Sequence, residues 1–260
     1  MHPVLFTLPG GIAVHTYGVA LTLAIGTAIL LAHRWGRRSN MPKDFGLDLV
    51  LIGFGSTLIG SRGEYVRTNW HQFEDDLWAI VDLRSGGQVF YGGLILMFIC
   101  FVLYARRHRL SALALIDTII PAATVAQVIG RLGCFFAGCC YGGASDVAWA
   151  VTFTDEQSIA PTDIALHPTQ LYAALYCAAL AAYLIWLRPR AQFNGQVTLS
   201  YFSIYPVLRF GNELLRDDSE RGYFLPTVFG ESLTSAQGVS IAMLCAAAVG
   251  WVLLAPRKGR

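Results

Sequence analysis

Residues 197–216 read VTLSYFSIYPVLRFGNELLR. The stretch Val197–Leu215 is apolar enough, and long enough, to span a bilayer, for which a helix needs about 20 residues. Inside it Tyr205, Arg209 and Glu213 follow at intervals of four, and Arg216 comes three later. These spacings put all four side chains on one helical face. Charge at membrane depth is costly, so it faces a protein interior or a wet cavity. Two readings stand: a polar chamber that holds an anionic head group, or a structural Arg209–Glu213 pair that glues helices together.

The composition extends this reading to the whole chain. Of 260 residues, 55% are hydrophobic and only 14% charged, against about 25% charged in soluble domains. This is the profile of an all-α integral membrane protein. Apolar windows of spanning length recur about seven times: 16–33, 46–60, 90–105, 112–129, 170–187, 197–215 and 235–255. The whole chain 1–260 reads as a single polytopic membrane domain. The first fifteen residues lack a basic start and a small-residue cleavage site, so no cleavable signal peptide is expected.

Charge placement orients the spans. Twelve of the nineteen Lys and Arg fall in alternate connections: Arg34, Arg37, Arg38, Lys43, Arg106, Arg107, Arg109, Arg188, Arg190, Arg257, Lys258 and Arg260. By the positive-inside rule the N-terminus lies outside and the C-terminus in the cytoplasm, a parity that seven crossings satisfy. The longest outer connection, about 130–167, is too long for a turn and reads as a small extracytoplasmic subdomain.

Most of the polar residues singled out then gather on the outer half. Tyr17 opens the first helix, Arg62 and Tyr65 end the second, and residues 86–93 (GGQVFYGG) open the third. Asp117 lies within the fourth, and Gly130-Arg131-Leu132-Gly133 ends it. His167 and Gln170 open the fifth. Arg62, Arg131 and Arg209, with Arg216, are expected to converge at the outer leaflet, where guanidinium forks would clamp a phosphate. Each feature also has a plainer reading. Gly92 and Gly93 suit close helix packing as well as approach to a ligand. Asp117 suits a buried hydrogen-bond partner, His167 a helix-entry cap, and Tyr17 an interfacial anchor.

Six cysteines divide into two groups. Cys100, Cys177 and Cys245 lie in helices as packing residues. Cys134, Cys139 and Cys140 cluster after Arg131, where a bridge from Cys134 to Cys139 or Cys140 would brace the loop. The spacing C-x4-C-C is not a common zinc pattern, and no metal is expected.

Taken together, the motifs resemble those of the bacterial prolipoprotein diacylglyceryl transferases, in the same order over nearly the whole chain. The resemblance rests on His15-Thr16-Tyr17-Gly18, the Gly86–Gly93 segment, Asp117 with Pro121, Gly130 to Gly133, residues 167–172 (HPTQLY), and Tyr205, Arg209, Glu213 and Arg216. It departs from the family where Tyr91 replaces the usual histidine, Cys134 and Ala137 replace asparagines, and Cys139 and Ala173 replace glutamates.

The resemblance implies a seven-helix enzyme of the bacterial inner membrane with its active site on the extracytoplasmic side. It would transfer diacylglycerol from phosphatidylglycerol to the lipobox cysteine of a preprolipoprotein, releasing glycerol 1-phosphate. Its partners are phosphatidylglycerol and the signal peptides of preprolipoproteins, with no nucleic acid and no cofactor. Arg131, Arg209, Tyr17, Glu213 and Tyr91 are the implied catalytic residues, with Glu213 and Asp117 holding the arginines. Arg62, Gly92, Gly93, Asp117, His167, Gln170, Tyr205 and Arg216 are the implied substrate contacts. With Tyr91 in the histidine's place, His15, His167 or Glu213 would serve as base, or the arginine field would itself favour thiolate. A related transferase with another acceptor, a non-catalytic phospholipid binder and a transporter remain as alternatives.

Overall fold

The computed structural model describes residues 2–11, 13–39, 41–74, 76–82, 87, 89–217, 223–228 and 231–256, and at 90, 91, 223–228, 231 and 232 the backbone alone. Seven long helices carry the described residues: α1 Thr16–Arg37, α2 Phe45–Thr68, α3 Phe90–Arg107, α4 Ala112–Ala137, α5 Thr169–Leu187, α6 Gln196–Leu214 and α7 Ser235–Leu254. Three two-stranded antiparallel hairpins complete them: β1 Val4–Thr7 with β2 Ala13–His15, β3 Val151–Thr152 with β4 Ala165–Leu166, and β5 Tyr223–Val228 with β6 Glu231–Thr234.

Five helices (α1, α2, α4, α5 with the short turn after it, and α7) are both long and apolar enough to cross a membrane. Their outward faces carry large apolar side chains such as Phe54, Leu175 and Val252, each more than two-thirds exposed. Lipid is the solvent that suits such faces. Of the other two long helices, α6 carries Arg209, Asn212 and Glu213 in its last two turns.

Two helices run beyond their apolar windows. The window 46–60 becomes a helix to Thr68, because Arg62 lies inside it and finds partners in the following loop. The window 112–129 continues two turns past Gly130 to Ala137. Arg131 and Cys134 therefore sit on α4, and the expected outer loop begins at Gly138 rather than at 130.

The chain divides into two compact units, residues 29–115 and residues 1–28 with 116–260. In the first, α2 and α3 pack as a close pair. A Cβ on Gly60 would strike the Gly92 carbonyl, and one on Gly93 would come within 2.9 Å of the Thr57 carbonyl. Gly92 and Gly93 thus serve close packing against α2, the plainer of their two readings. Asp48 of α2 accepts a 2.6 Å hydrogen bond from the Tyr104 phenol of α3.

In the second unit α5 and α6 bury Leu180, Leu184, Leu187, Val197 and Tyr201 together. Asp117 of α4 organises the start of α6. Its carboxylate accepts from Gly195 N (2.6 Å), Thr198 N (2.8 Å) and Thr198 Oγ1 (2.6 Å). The first N–H groups of a helix lack intrahelical partners and favour a negative charge, so this aspartate caps α6 from a neighbouring helix. A reciprocal cap, Thr234 with Gln237, starts α7.

The segment between α4 and α5 has a small core of its own. Phe153, Ala160 and Leu166 are buried against Phe135, Tyr141 and Val151. The segment is stitched to the end of α6 by Gly143 N to Leu215 O (3.0 Å) and to the start of α5 by Gly142 N to His167 O (3.0 Å). Gly142 is essential there, since a Cβ would meet the His167 Cβ at 2.6 Å and the Leu215 carbonyl at 2.7 Å.

Candidate active site

The last two turns of α6 supply the charged centre. Glu213 is 2% exposed and forms an ion pair with Arg209, four residues back. Arg216, three residues on, reaches the same Oε2 at 3.5 Å. The Arg209–Glu213 pair of the plainer reading is present, but it lies within one helix rather than between helices, and Arg216 shares its carboxylate.

Arg131 of α4 completes the cluster. It takes part in none of the hydrogen bonds or ion pairs among the described residues. It acts electrostatically on Tyr205 and on Tyr176 of α5, which also feels Arg209. On its other side it acts on Tyr17 and Cys140, and Arg216 acts on Cys140 too. Arg131, Arg209 and Arg216 thus bring three guanidiniums to the neighbourhood of Glu213 and Cys140.

Helix packing sets the remaining positions. Gly133 lets α1 approach α4, since a Cβ there would lie 2.6 Å from the Ala20 Cβ and 3.5 Å from the Tyr17 ring. Tyr17 is thereby held where it feels the charge of Arg131. On α6 the ring of Tyr205 stacks on Tyr201 at 5.0 Å and meets Tyr176 edge-on at 6.3 Å. Tyr201 in turn shares hydrogen bonds with Gln127 of α4, the shorter being 2.9 Å.

The first turn of α5 clamps the loop after α4. Gln170 Nε2 donates to the Cys139 carbonyl (2.8 Å) and Thr169 Oγ1 to the Cys140 carbonyl (2.6 Å). His167 Nδ1 lies 3.1 Å from the Tyr172 hydroxyl, which also accepts from Trp149 Nε1 at 2.7 Å. Tyr176 Oη, Asn212 Oδ1 and Gln170 Oε1 are buried with no partner among the described residues. A buried polar atom left unmatched costs about 1–3 kcal/mol, so these three atoms suit a polar ligand. Tyr176 and Asn212 escaped the sequence reading. Their only local signal is the helical spacing of Tyr176 from Tyr172 and the position of Asn212 beside Glu213.

All six cysteines are free thiols, so the expected bridge from Cys134 is not formed. Instead the three sulfurs of Cys134, Cys139 and Cys140 gather within 4.8 Å of one another. The neighbouring thiols of Cys134 and Cys139 draw the Cys140 thiol below its usual value, helped by Arg216 and Arg131 and opposed by burial. The thiols of Cys134 and Cys140, with burial, push Cys139 up.

Two expected site residues have other duties. Arg62, in the 29–115 unit, is buried with its donors on four backbone carbonyls: Ile80 (2.9 Å), Gly87 (3.1 Å), Ala79 (2.6 Å) and Asp82 (2.9 Å). A guanidinium has five N–H donors, so this one is a loop organiser and not an open phosphate clamp. Asp117 is engaged at the other end of α6. Eleven residues separate Thr198 from Arg209, about 16 Å along a helix, so Asp117 does not hold Arg209. Tyr91 is in α3 by its backbone, and its side chain lies outside the described residues, as do Gly86 and Gln88 of the same motif.

Residues 3–253 match the model of the family described as prolipoprotein diacylglyceryl transferase. The chain is 33% identical over 218 residues to a phosphatidylglycerol–prolipoprotein diacylglyceryl transferase of Clostridium tetani, covering 84% of this chain and 86% of that one. It is 30% identical over 240 residues to the protein of the same name from Finegoldia magna, covering 92% and 90%. A Clostridium perfringens protein of that name, numbered 2, is 29% identical over 244 residues, covering 94% and 91%.

Proposed function

This chain belongs to the prolipoprotein diacylglyceryl transferase family, and from that membership we propose that it transfers the diacylglyceryl group of phosphatidylglycerol to the lipobox cysteine of a preprolipoprotein. The observation that carries the reading is Arg131. It is a guanidinium without a counter-ion among the described residues, and it shares the unmatched Tyr176 hydroxyl with Arg209 and the Cys140 thiol with Arg216 as electrostatic neighbours.

The reaction needs this charge. The acceptor thiol loses its proton, and the thiolate attacks the glyceryl carbon bonded to the phosphodiester oxygen. A C–S bond forms as that C–O bond breaks, and the electron pair departs on the phosphate of glycerol 1-phosphate. Negative charge grows on phosphate oxygens, where preorganised donors lower the barrier most. Arg131 and Arg209 are the donors, and Glu213 fixes the direction of Arg209. Tyr17 and Tyr205 line the same centre. Glu213 is already engaged by two guanidiniums, so His167 is the better candidate to take the thiol proton.

The chain crosses a bacterial inner membrane seven times, with α3 and α6 as the two further crossings. The N-terminus faces outward, and the cytoplasmic connections hold the excess of arginine. The site then opens to the extracytoplasmic side, where the segment 138–168 covers it. In vitro transfer tests the reading. Purified protein, phosphatidylglycerol and a lipobox peptide should yield a diacylglyceryl-cysteine product by mass spectrometry, absent with Arg131→Ala. A wild-type protein that binds phosphatidylglycerol and forms no product would refute it.

A further inference from the structure

The cysteines beyond Arg131 have geometry that the transfer chemistry above does not use. Cys134 lies on the last turn of α4, and Cys139 N donates to the Cys134 carbonyl at 3.2 Å. The chain then reverses sharply. Gly138 has φ +77° and Cys140 has φ +61°, a left-handed conformation that costs a non-glycine residue about 1–3 kcal/mol. The carbonyls of Cys139 and Cys140 are held by the buried side chains of Gln170 and Thr169. This scaffold turns three sulfurs toward a common point, all within 4.8 Å of one another.

We propose that Cys134, Cys139 and Cys140 form a three-thiolate site for a thiophilic d10 cation of the zinc class, with its fourth position open. Zn–S bonds of about 2.3 Å place tetrahedral thiolates about 3.8 Å apart, a small contraction of the observed cluster. Thiolate ligands select zinc or monovalent copper over harder cations. The side chains supply one ligand atom each, and among the described residues no histidine or carboxylate joins them. Three protein ligands with one open position is the arrangement of catalytic rather than structural zinc. Arg131 and Arg216 offset the surplus negative charge of three thiolates around a divalent ion. The linear spacing C-x4-C-C hides the site, because the reversal after Gly138 brings the third sulfur in.

Tyr17 and Arg131 lie within electrostatic reach of these thiols. Resting on the transferase reading, the occupant of the open position is the acceptor thiol. A metal-bound thiol is deprotonated outright, so the bound thiolate attacks the glyceryl carbon. Its proton goes to His167, the base assigned above, and the leaving phosphate takes the C–O electron pair.

Cadmium is the probe. The detergent-solubilised full-length chain, reduced and freed of reductant without oxygen, is titrated with CdCl2 while ultraviolet thiolate-to-cadmium charge transfer is followed. The expected band saturates at one cadmium per chain and is displaced by zinc. It persists in the triple variant Cys100→Ser, Cys177→Ser, Cys245→Ser and disappears in Cys134→Ser and in Cys139→Ser. Each variant is first shown to elute as wild type does on size exclusion. Protection of Cys140 from alkylation by cadmium gives a second readout on the unmutated chain. A lipobox peptide should intensify the band by adding a thiolate. Absence of the band in wild type, its survival in Cys139→Ser, or a reductant-resistant bridge among the three cysteines overturns the proposal. A cadmium site in a protein without transfer activity sinks the transferase reading and leaves the site standing. Transfer without the site does the reverse.

Discussion

Glu213 and Arg209 form an ion pair one helical turn apart in a setting that excludes most water: the glutamate is 2% exposed and the arginine 9%. Removing one partner of such a pair leaves a buried charge uncompensated. Glu213→Ala should therefore lower stability by about 3–5 kcal/mol, read as a lost or shifted unfolding transition in detergent. Glu213→Gln, which keeps the shape and one acceptor, should lose less. Equal losses in the two variants would mean that charge plays no part.

Arg131 predicts the opposite balance. It has no hydrogen bond among the described residues, so Arg131→Ala should leave the unfolding transition nearly unchanged. Turnover should fall by at least 10²–10³-fold, the usual effect of removing one preorganised donor. Arg131→Lys should restore little, because an ammonium lacks the planar fork that grips a phosphate. A lysine variant with near wild-type kcat would reduce the role of Arg131 to simple charge.

Arg62 should behave as a structural residue despite its place in an arginine-rich sequence. Its guanidinium holds the carbonyls of Ala79, Ile80, Asp82 and Gly87. Arg62→Lys should destabilise the chain by about 1–3 kcal/mol through unmatched buried carbonyls. The KM for phosphatidylglycerol of the surviving folded enzyme should stay within about twofold of wild type, well under the 1.4 kcal/mol that a tenfold change represents. A specific rise in KM with unchanged stability would return Arg62 to the lipid site.

Asp117 makes a similar case at the far end of α6. Asp117→Asn removes the charge and one strong acceptor facing Gly195 and Thr198. Loss of a helix cap costs about 0.5–2 kcal/mol, and a shift of that size should appear in the unfolding transition with kcat/KM kept. A kinetic defect at full stability would contradict the capping role.

Tyr91 tests how the acceptor thiol is activated. An unassisted phenol, with a pKa of about 10, is a poor base at neutral pH. If His167 takes the proton and the positive field around Arg131 favours the thiolate, Tyr91→Phe should reduce kcat/KM by less than about tenfold, against the 10²–10⁴ expected on losing a general base. Single-turnover transfer to a lipobox peptide measures it, and a near-complete loss with lipid binding intact would overturn the electrostatic account.

Much of this architecture is legible in the amino-acid sequence because helices encode themselves locally. A period of 3.6 residues is enough to place Tyr205, Arg209, Glu213 and Arg216 on one face, and apolar length is enough to place the helices in lipid. The helix ends were less legible. The apolar windows stop at Gly60 and Ile129, whereas α2 and α4 continue to Thr68 and Ala137. Polar residues prolong a helix when tertiary partners receive them, as the loop carbonyls receive Arg62.

The sequence by itself determined the all-helical membrane class, the shared face of the α6 charges and the motif order that marks the family. Only the tertiary structure decided what those residues touch. It assigned Arg62 to carbonyls 17 to 25 residues away, Asp117 to an amide 78 residues away, and Gly92 to the backbone of Gly60. It also gathered Cys134, Cys139 and Cys140 at one point beside Arg131. The reason is physical: periodicity fixes direction around one helix axis, but a partner across the fold depends on how helices cross and where a chain reverses. Those choices are set by close packing at glycines such as Gly133 and by the unmatched backbone groups at helix ends, neither of which leaves a periodic trace.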